Sequence, residues 1–145
     1  MNILRIFYQL AVSFWVGGAA IFTLLLTPIL FKTHSRDVAG KIVGVLFPGY
    51  FRWGLVCGAC ALLCRLFMKE RSLPVIAIIC AMIAVTSFQA FHLEPKIADL
   101  KLKIPSFETT SKDHPLRKEF GKLHGISAGC NLAVLGGGIA LIILL

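Results

Sequence analysis

The sequence has few acidic side chains and little charge of any kind. Only 15% of its residues are charged, and 15 Lys and Arg outnumber 7 Asp and Glu, which gives a net charge of +8. With 57% hydrophobic residues and a mean hydropathy of +0.83, the 145-residue chain lacks the polar surface that a soluble domain needs around its core. This composition argues against a soluble fold and predicts a single membrane domain over residues 1–145.

The excess of basic residues does not indicate a nucleic-acid partner. Lys and Arg lie in the gaps between apolar runs, and no basic patch alternates with base-stacking aromatic residues. We therefore expect these charges to contact anionic lipid headgroups and to influence membrane topology. The expected partner is the lipid bilayer, with no nucleic acid, and the expected location is a plasma membrane or a bacterial inner membrane.

Motifs for nucleotide binding and for nucleophilic catalysis are also missing from the sequence. Gly136, Gly137 and Gly138 lie within an apolar run with no strand before them, so they are not a phosphate-binding loop. No nucleophile–base arrangement can be recognised, which makes an enzyme the less favoured class. All 5 cysteines lie inside apolar segments, which predicts no disulfide framework.

The sequence does contain four apolar runs, each long enough to cross a bilayer. They cover residues 3–31, 49–67, 73–92 and 120–145, and a span needs about 20 apolar residues. The mixed segment 32–47 has the spacing of a short amphipathic helix at the interface, and Pro48 is expected to start the second span. The polar stretch 94–121 keeps apolar residues between positions 97 and 104, which allow a helical extension or an interface-lying segment.

The fold predicted is an all-α membrane protein, an antiparallel four-transmembrane-helix bundle. It has a short amphipathic segment between helices 1 and 2 and a long polar loop between helices 3 and 4. Lys69, Glu70 and Arg71 predict a tight polar turn between helices 2 and 3, and basic residues on both sides leave the membrane orientation open. Glycines at four-residue spacing predict close helix contacts, either within the bundle or in a homo-oligomer. They are Gly54 and Gly58 on the second helix and Gly121, Gly125, Gly129 and Gly137 on the fourth, where Ala133 completes the series.

Polar side chains inside the apolar runs mark a candidate binding site. An ionisable or amide group at membrane depth is costly unless it is paired or hydrated, so it indicates either a site or hydrogen bonds between helices. The third helix ends and the fourth begins on the same side of the membrane, which places His92 and His124 at similar depth. The residues predicted to bind a metal ion or a cofactor are His92, His124, Gln89 and Asn131. Further polar lining is expected from Tyr50, Arg52, Ser127 and Glu94.

A stripe of thiols on the second helix is a second candidate metal site. Cys57, Cys60 and Cys64 follow an i, i+3, i+7 spacing that places them on one helix face. Thiolates suit soft ions such as copper(I), but one helix cannot surround a tetrahedral ion without ligands from elsewhere. Cysteine is also a small packing residue, and packing is the favoured interpretation of this stripe.

Three segments resemble a known family over nearly the whole chain. They read FWVGGAAIFTLLLTPILF at residues 14–31, AGKIVGVLFPGYF at 39–51 and FGKLHGISAGCN at 120–131. Together they resemble the transmembrane-protein-205-like family, also called domain of unknown function 4149. That family is similar, more distantly, to the copper-resistance protein D group and to HemJ-type protoporphyrinogen oxidases, which implies copper or haem as the cofactor. Gln9 stands where those groups carry a histidine, a departure that argues against haem or copper ligation at this position.

Three functions follow from these observations. The first is binding or translocation of a soft metal ion or a metal-containing cofactor through the polar site at one end of the bundle. The second is a structural or accessory role through helix–helix association, and the third is a haem-dependent membrane oxidoreductase.

Overall fold

The computed structural model describes residues 3–69 and 72–144. Within these residues, four long helices form most of the fold: α1 (Ile3–Thr33), α2 (Arg36–Phe67), α3 (Leu73–Lys103) and α4 (Pro115–Ile143). The predicted all-α bundle of four apolar helices is confirmed. Glu70 and Arg71 of the predicted polar turn, and Leu145 at the predicted end of the fourth span, lie outside the described residues.

The helices are apolar enough to cross a membrane, and each is longer than a bilayer crossing requires. Their most apolar stretches have mean hydropathies of 2.0, 1.4, 2.1 and 2.0. At 1.5 Å per residue, 29 to 32 residues make a helix about 44–48 Å long, whereas the hydrocarbon core of a bilayer is about 30 Å thick. The surplus turns are polar at the end where α3 stops and α4 begins, which we call the loop end. These polar turns therefore lie at headgroup level or beyond it.

The helices pack in a ring, in which α1 contacts α2, α2 contacts α3, α3 contacts α4, and α4 contacts α1. Trp15 on α1, with 3% of its surface exposed, lies in the core and fills the space that glycines leave on α2. A Cβ atom on Gly58 would lie 2.7 Å from the Trp15 ring. The small residues of α2 thus allow the close helix approach that the sequence predicts for them.

Contrary to the expected break at Pro48, α2 continues through this proline. Residues 36–47 are the first turns of α2 rather than a separate amphipathic helix. Proline removes one helical hydrogen bond, a loss that packing must offset. Phe47 and Phe51, on either side of Pro48, are buried and stack on each other with ring centroids 5.4 Å apart. Phe22 of α1 packs against Phe47 and so holds this part of α2 in place.

The polar region between the third and fourth spans is mostly helical. α3 extends to Lys103, as the helical alternative for this segment predicts, and Ile97 and Leu100 are its buried residues there. The connection to α4 therefore shrinks to residues 104–114. This shorter connection folds over the loop end of the bundle, as described below.

Candidate functional site

Two helices contain a turn with π-helical hydrogen bonding, Ile21–Leu26 in α1 and Gln89–Leu93 in α3. A π-helical turn bonds residue i to residue i+5, and such turns are frequent at functional sites. Within these turns, Phe22 stacks on Tyr50 of α2 with ring centroids 4.4 Å apart, and Gln89 is buried with 1% exposure. Both turns therefore direct side chains into the interior of the bundle.

Four of the predicted site residues meet in a buried polar network. The Gln89 side-chain amide donates hydrogen bonds to the Ser127 backbone carbonyl and to Asn131 Oδ1, each 3.0 Å away. The Tyr50 hydroxyl donates to the same Asn131 oxygen at 3.3 Å. The network links α2, α3 and α4 and pairs polar groups that would be costly to bury alone.

The two predicted histidines occupy different surroundings. His92 is exposed, stacks on Phe88 and lies 3.2 Å from the Lys96 ammonium. His124 is half-buried, stacks on Phe120 and lines a cavity at the loop end. The structure does not bring these two side chains to one site, and a role in ligand binding stays a prediction for each.

The cavity at the loop end has a volume of about 250 Å³. It continues into a smaller space of about 70 Å³ that reaches Glu94, and we call the two together the loop-end pocket. All four helices and the 104–114 connection contribute to its walls. Its apolar walls include Phe31, Phe107 and Phe120, and its basic groups are Arg36, Lys101, Arg117 and His124.

Hydrogen bonds to neutral backbone carbonyls hold two of these basic groups. The Lys101 ammonium donates to the Gly40 carbonyl, and Arg117 donates to the Phe107 and Thr110 carbonyls at 2.6 and 2.8 Å. A carbonyl satisfies a donor but does not neutralise a cation. The pocket therefore keeps positive charge beside its apolar walls.

An acidic residue at the start of α2 anchors the roof of the pocket. Asp37 accepts hydrogen bonds from the Ser106 hydroxyl at 2.6 Å and from the Phe107 backbone N–H at 2.7 Å. Glu108 accepts from the Arg36 backbone N–H at 2.9 Å, and the Phe107 ring packs edge-on against Phe120. These contacts fix the 104–114 connection across the ends of α2 and α4.

Glu94 lies in a wall shared by two cavities. One is the loop-end pocket, and the other is a groove of about 390 Å³ between α2 and α3, which we call the α2/α3 groove. Glu94 Oε2 is buried and has no hydrogen-bond partner. Arg52 lines the same groove, so that two predicted lining residues, Arg52 and Glu94, share one cavity.

The basic groups Arg36, Lys101 and Arg117 line the pocket but were not singled out from the sequence. In the sequence they read as charges on the polar segments that flank the apolar runs. Their convergence depends on two features, the extension of α3 and the docked connection. Phe107, Arg117 and Phe120 lie close together in the sequence, and this proximity was the signal that the connection between them could fold back on α4.

The cysteine stripe lies elsewhere in the bundle. Cys57, Cys60 and Cys64 line an apolar groove between α1 and α2 that also contains Trp53. Cys57 is buried and Cys60 is exposed on the outer surface. Within residues 3–69 and 72–144, no three His, Cys, Asp or Glu side chains come together in a group that could hold a metal ion.

The apolar outer surface and four helices of spanning length define an integral multi-pass membrane protein of small size. The chain belongs to the family described as domain of unknown function DUF4149, which matches residues 10–106. It is 30% identical over 128 residues to an uncharacterized protein of Aquifex aeolicus (strain VF5), an alignment covering 85% of this chain and 82% of that protein. No solved structure matches the chain significantly. The family resemblance seen in the sequence is confirmed.

Proposed function

We propose that this membrane protein binds an anionic amphiphile, a molecule with a phosphate or carboxylate head and an apolar tail, in the loop-end pocket. The observation that carries the proposal is the convergence of basic groups from three helices on a pocket with phenylalanine walls. The basic groups are Arg36, Lys101, Arg117 and His124.

The charge balance of the pocket favours an anion. A guanidinium group offers a planar set of donors that matches a phosphate or a carboxylate, and Arg36 and Arg117 each supply one. The nearby carboxylates of Asp37 and Glu108 accept hydrogen bonds from the backbone of the pocket roof and of α2. Glu94, at the deeper end, sets a limit to how far a negative head can enter.

The position and the walls of the pocket favour an amphiphile over a free anion. The polar helix ends lie at headgroup level, where lipid-like molecules place their heads. The rings of Phe31 and Phe120 line both parts of the pocket and offer an apolar surface to a tail. Ligand pockets of this kind combine apolar walls with a few polar groups that fix orientation.

Calorimetric titration of the purified protein in dodecyl maltoside tests the proposal, with dodecyl phosphate and inorganic phosphate as probes. Dodecyl phosphate is expected to bind, and Arg36→Gln is expected to weaken it about tenfold, the effect of losing one charged hydrogen bond. Lys122→Gln is the matched control, because Lys122 is exposed on α4 and does not line the pocket. Unchanged binding in Arg36→Gln contradicts the proposal, and equal affinity for inorganic phosphate assigns the pocket to a free anion.

A soft metal ion or a haem, the ligand class predicted from the sequence for this end of the bundle, is the alternative ligand. The polar network offers amide and hydroxyl oxygens, which suit hard rather than soft ions, and these groups already bond one another. Elemental and optical analysis of protein expressed with ample copper and haem tests this class. Stoichiometric metal or a Soret band that His92→Ala/His124→Ala removes would favour it over the amphiphile.

A structural role through helix association is the second candidate function. Gly125 and Gly129 are exposed on α4, and a Cβ atom at each would meet nothing within 4 Å. Small residues that the bundle itself leaves uncovered suit close packing by a further transmembrane helix. The corresponding experiment is given in the Discussion.

A further inference from the structure

The α2/α3 groove carries two opposite charges that do not pair with each other. Arg52 and Glu94 both line this groove, yet among the described residues no ion pair within 4 Å joins them, and the Arg52 side chain is exposed. Separate charges on the walls of one groove fit a ligand that carries both signs. A ligand with only a negative charge would be repelled by Glu94, and a ligand with only a positive charge would be repelled by Arg52.

The bilayer is the source from which such a ligand can reach the groove. Phe91, with 74% of its surface exposed, forms part of its outer wall, so that the groove opens sideways on the outer surface of the bundle. The remaining walls are mostly small or apolar, with Gly44, Ala90 and Ala98 among them. A lipid headgroup can therefore enter while its acyl chains stay in the hydrocarbon.

The unpaired oxygen of Glu94 decides the chemistry of the positive group. Glu94 Oε2 is buried without any donor, and a buried carboxylate oxygen is costly until an N–H or O–H reaches it. A primary ammonium supplies N–H donors and a positive charge. A quaternary ammonium supplies the charge alone.

We propose that the α2/α3 groove binds the headgroup of a phospholipid with a primary amine, its phosphate on Arg52 and its ammonium on Glu94. Phosphatidylethanolamine has this chemistry. The inference uses a different basic group from the proposed function, because Arg36 and Arg117 line the loop-end pocket and not this groove, while Glu94 lies in the wall between the two cavities.

Native mass spectrometry of delipidated protein with defined lipid mixtures tests the proposal. We expect phosphatidylethanolamine to be retained about tenfold over phosphatidylcholine, the effect of one charged hydrogen bond. The same headgroup with one, two or three N-methyl groups should lose retention stepwise, with the preference gone at the third. Equal retention across this series in the unaltered protein overturns the proposal, and so does a preference for phosphatidylglycerol or competition by soluble phosphoethanolamine at equal concentration.

Two variants assign the charges to the residues. Glu94→Gln should abolish the preference for the primary amine while phosphatidylcholine is retained as before, and Arg52→Gln should lower retention of both lipids. Lys96→Gln is the matched control, since Lys96 is an exposed cation of α3 that contacts His92 outside the groove. A Glu94→Gln protein that still prefers the primary amine refutes the assignment; if this variant fails to fold, the N-methyl series decides.

Discussion

Asn131 Oδ1 accepts two hydrogen bonds, one from Gln89 on α3 and one from Tyr50 on α2. A single amide oxygen on α4 thus joins three helices in the buried part of the bundle. In lipid, such hydrogen bonds between helices stabilise by about 0.6 kcal/mol each on average. The network can hold the helices in register, and it can also support the loop-end pocket, which lies toward the headgroups.

The first prediction concerns the strength of this network. Asn131→Ala is expected to lower the free energy of unfolding by about 1 kcal/mol, because it removes the acceptor of two hydrogen bonds. Tyr50→Phe removes one donor and should cost about 0.6 kcal/mol in the original protein but almost nothing in the Asn131→Ala background. Unfolding in mixed detergent and dodecyl sulfate, followed by circular dichroism, measures both.

The control for this double-mutant cycle is Leu132→Ala on the same helix. Leu132 is 55% exposed on the lipid-facing side and takes no part in the network. Additive effects of Tyr50→Phe and Asn131→Ala would show that the hydrogen bond between them contributes nothing to stability.

The spans and the polar network could be predicted from the sequence, because both follow from local patterns. The first apolar run, residues 3–31, matches α1 within two residues, and the spacing of Ser127 and Asn131 places them on the inner face of α4. Regular helical spacing would place Gln89 and His92 near one face of α3. In the π-helical turn Gln89–Leu93 each residue turns the chain through a smaller angle than in an α-helix. As a result, Gln89 is buried while His92 is exposed.

The charged half of the site could not be predicted, because it depends on contacts between distant segments. Arg36 and Lys101 are 65 positions apart in the chain, and they line one pocket only after α3 extends to Lys103. Proline at position 48 predicted a boundary that aromatic packing overrides. Local sequence reported the wrong boundary since it carries no information on that tertiary packing.

The second prediction concerns the contact between Trp15 and Gly58. Gly58→Ala is expected to lower stability by about 1–3 kcal/mol, because the added Cβ would lie 2.7 Å from the Trp15 ring and 2.8 Å from Ile83. Gly49→Ala on the same helix is the matched control, since a Cβ at that position meets nothing within 4 Å. Thermal unfolding monitored by circular dichroism compares the two, and equal melting temperatures would refute the close contact.

The third prediction concerns the roof of the loop-end pocket. Asp37→Ala is expected to release the 104–114 connection, because the Ser106 hydroxyl and the Phe107 N–H both lose their acceptor. Trypsin cleavage after Lys112 in detergent should then become about tenfold faster, as expected for the loss of hydrogen bonds to a charged group. Glu119→Ala is the control, since Glu119 is an exposed acidic residue of α4 that lies away from the cleaved bond and does not hold the roof. A cleavage rate that rises equally in both variants would mean that Asp37 has no special part in docking the connection.

The fourth prediction concerns the outer face of α4, where Gly125 and Gly129 leave open space. If a second transmembrane helix packs closely on these glycines, Gly125→Leu and Gly129→Leu should each reduce self-association at least about tenfold, because the added side chains keep the two backbones apart. Energy transfer between labelled copies at graded protein-to-lipid ratios measures the association, and thermal unfolding checks that each variant still folds. Ile142→Ala, at an exposed position of α4 about a third of a turn around the helix from the glycines, serves as control because it lies off their face. Association that is equal in the original protein and in both leucine variants would refute the structural role and leave ligand binding as the function that the site supports.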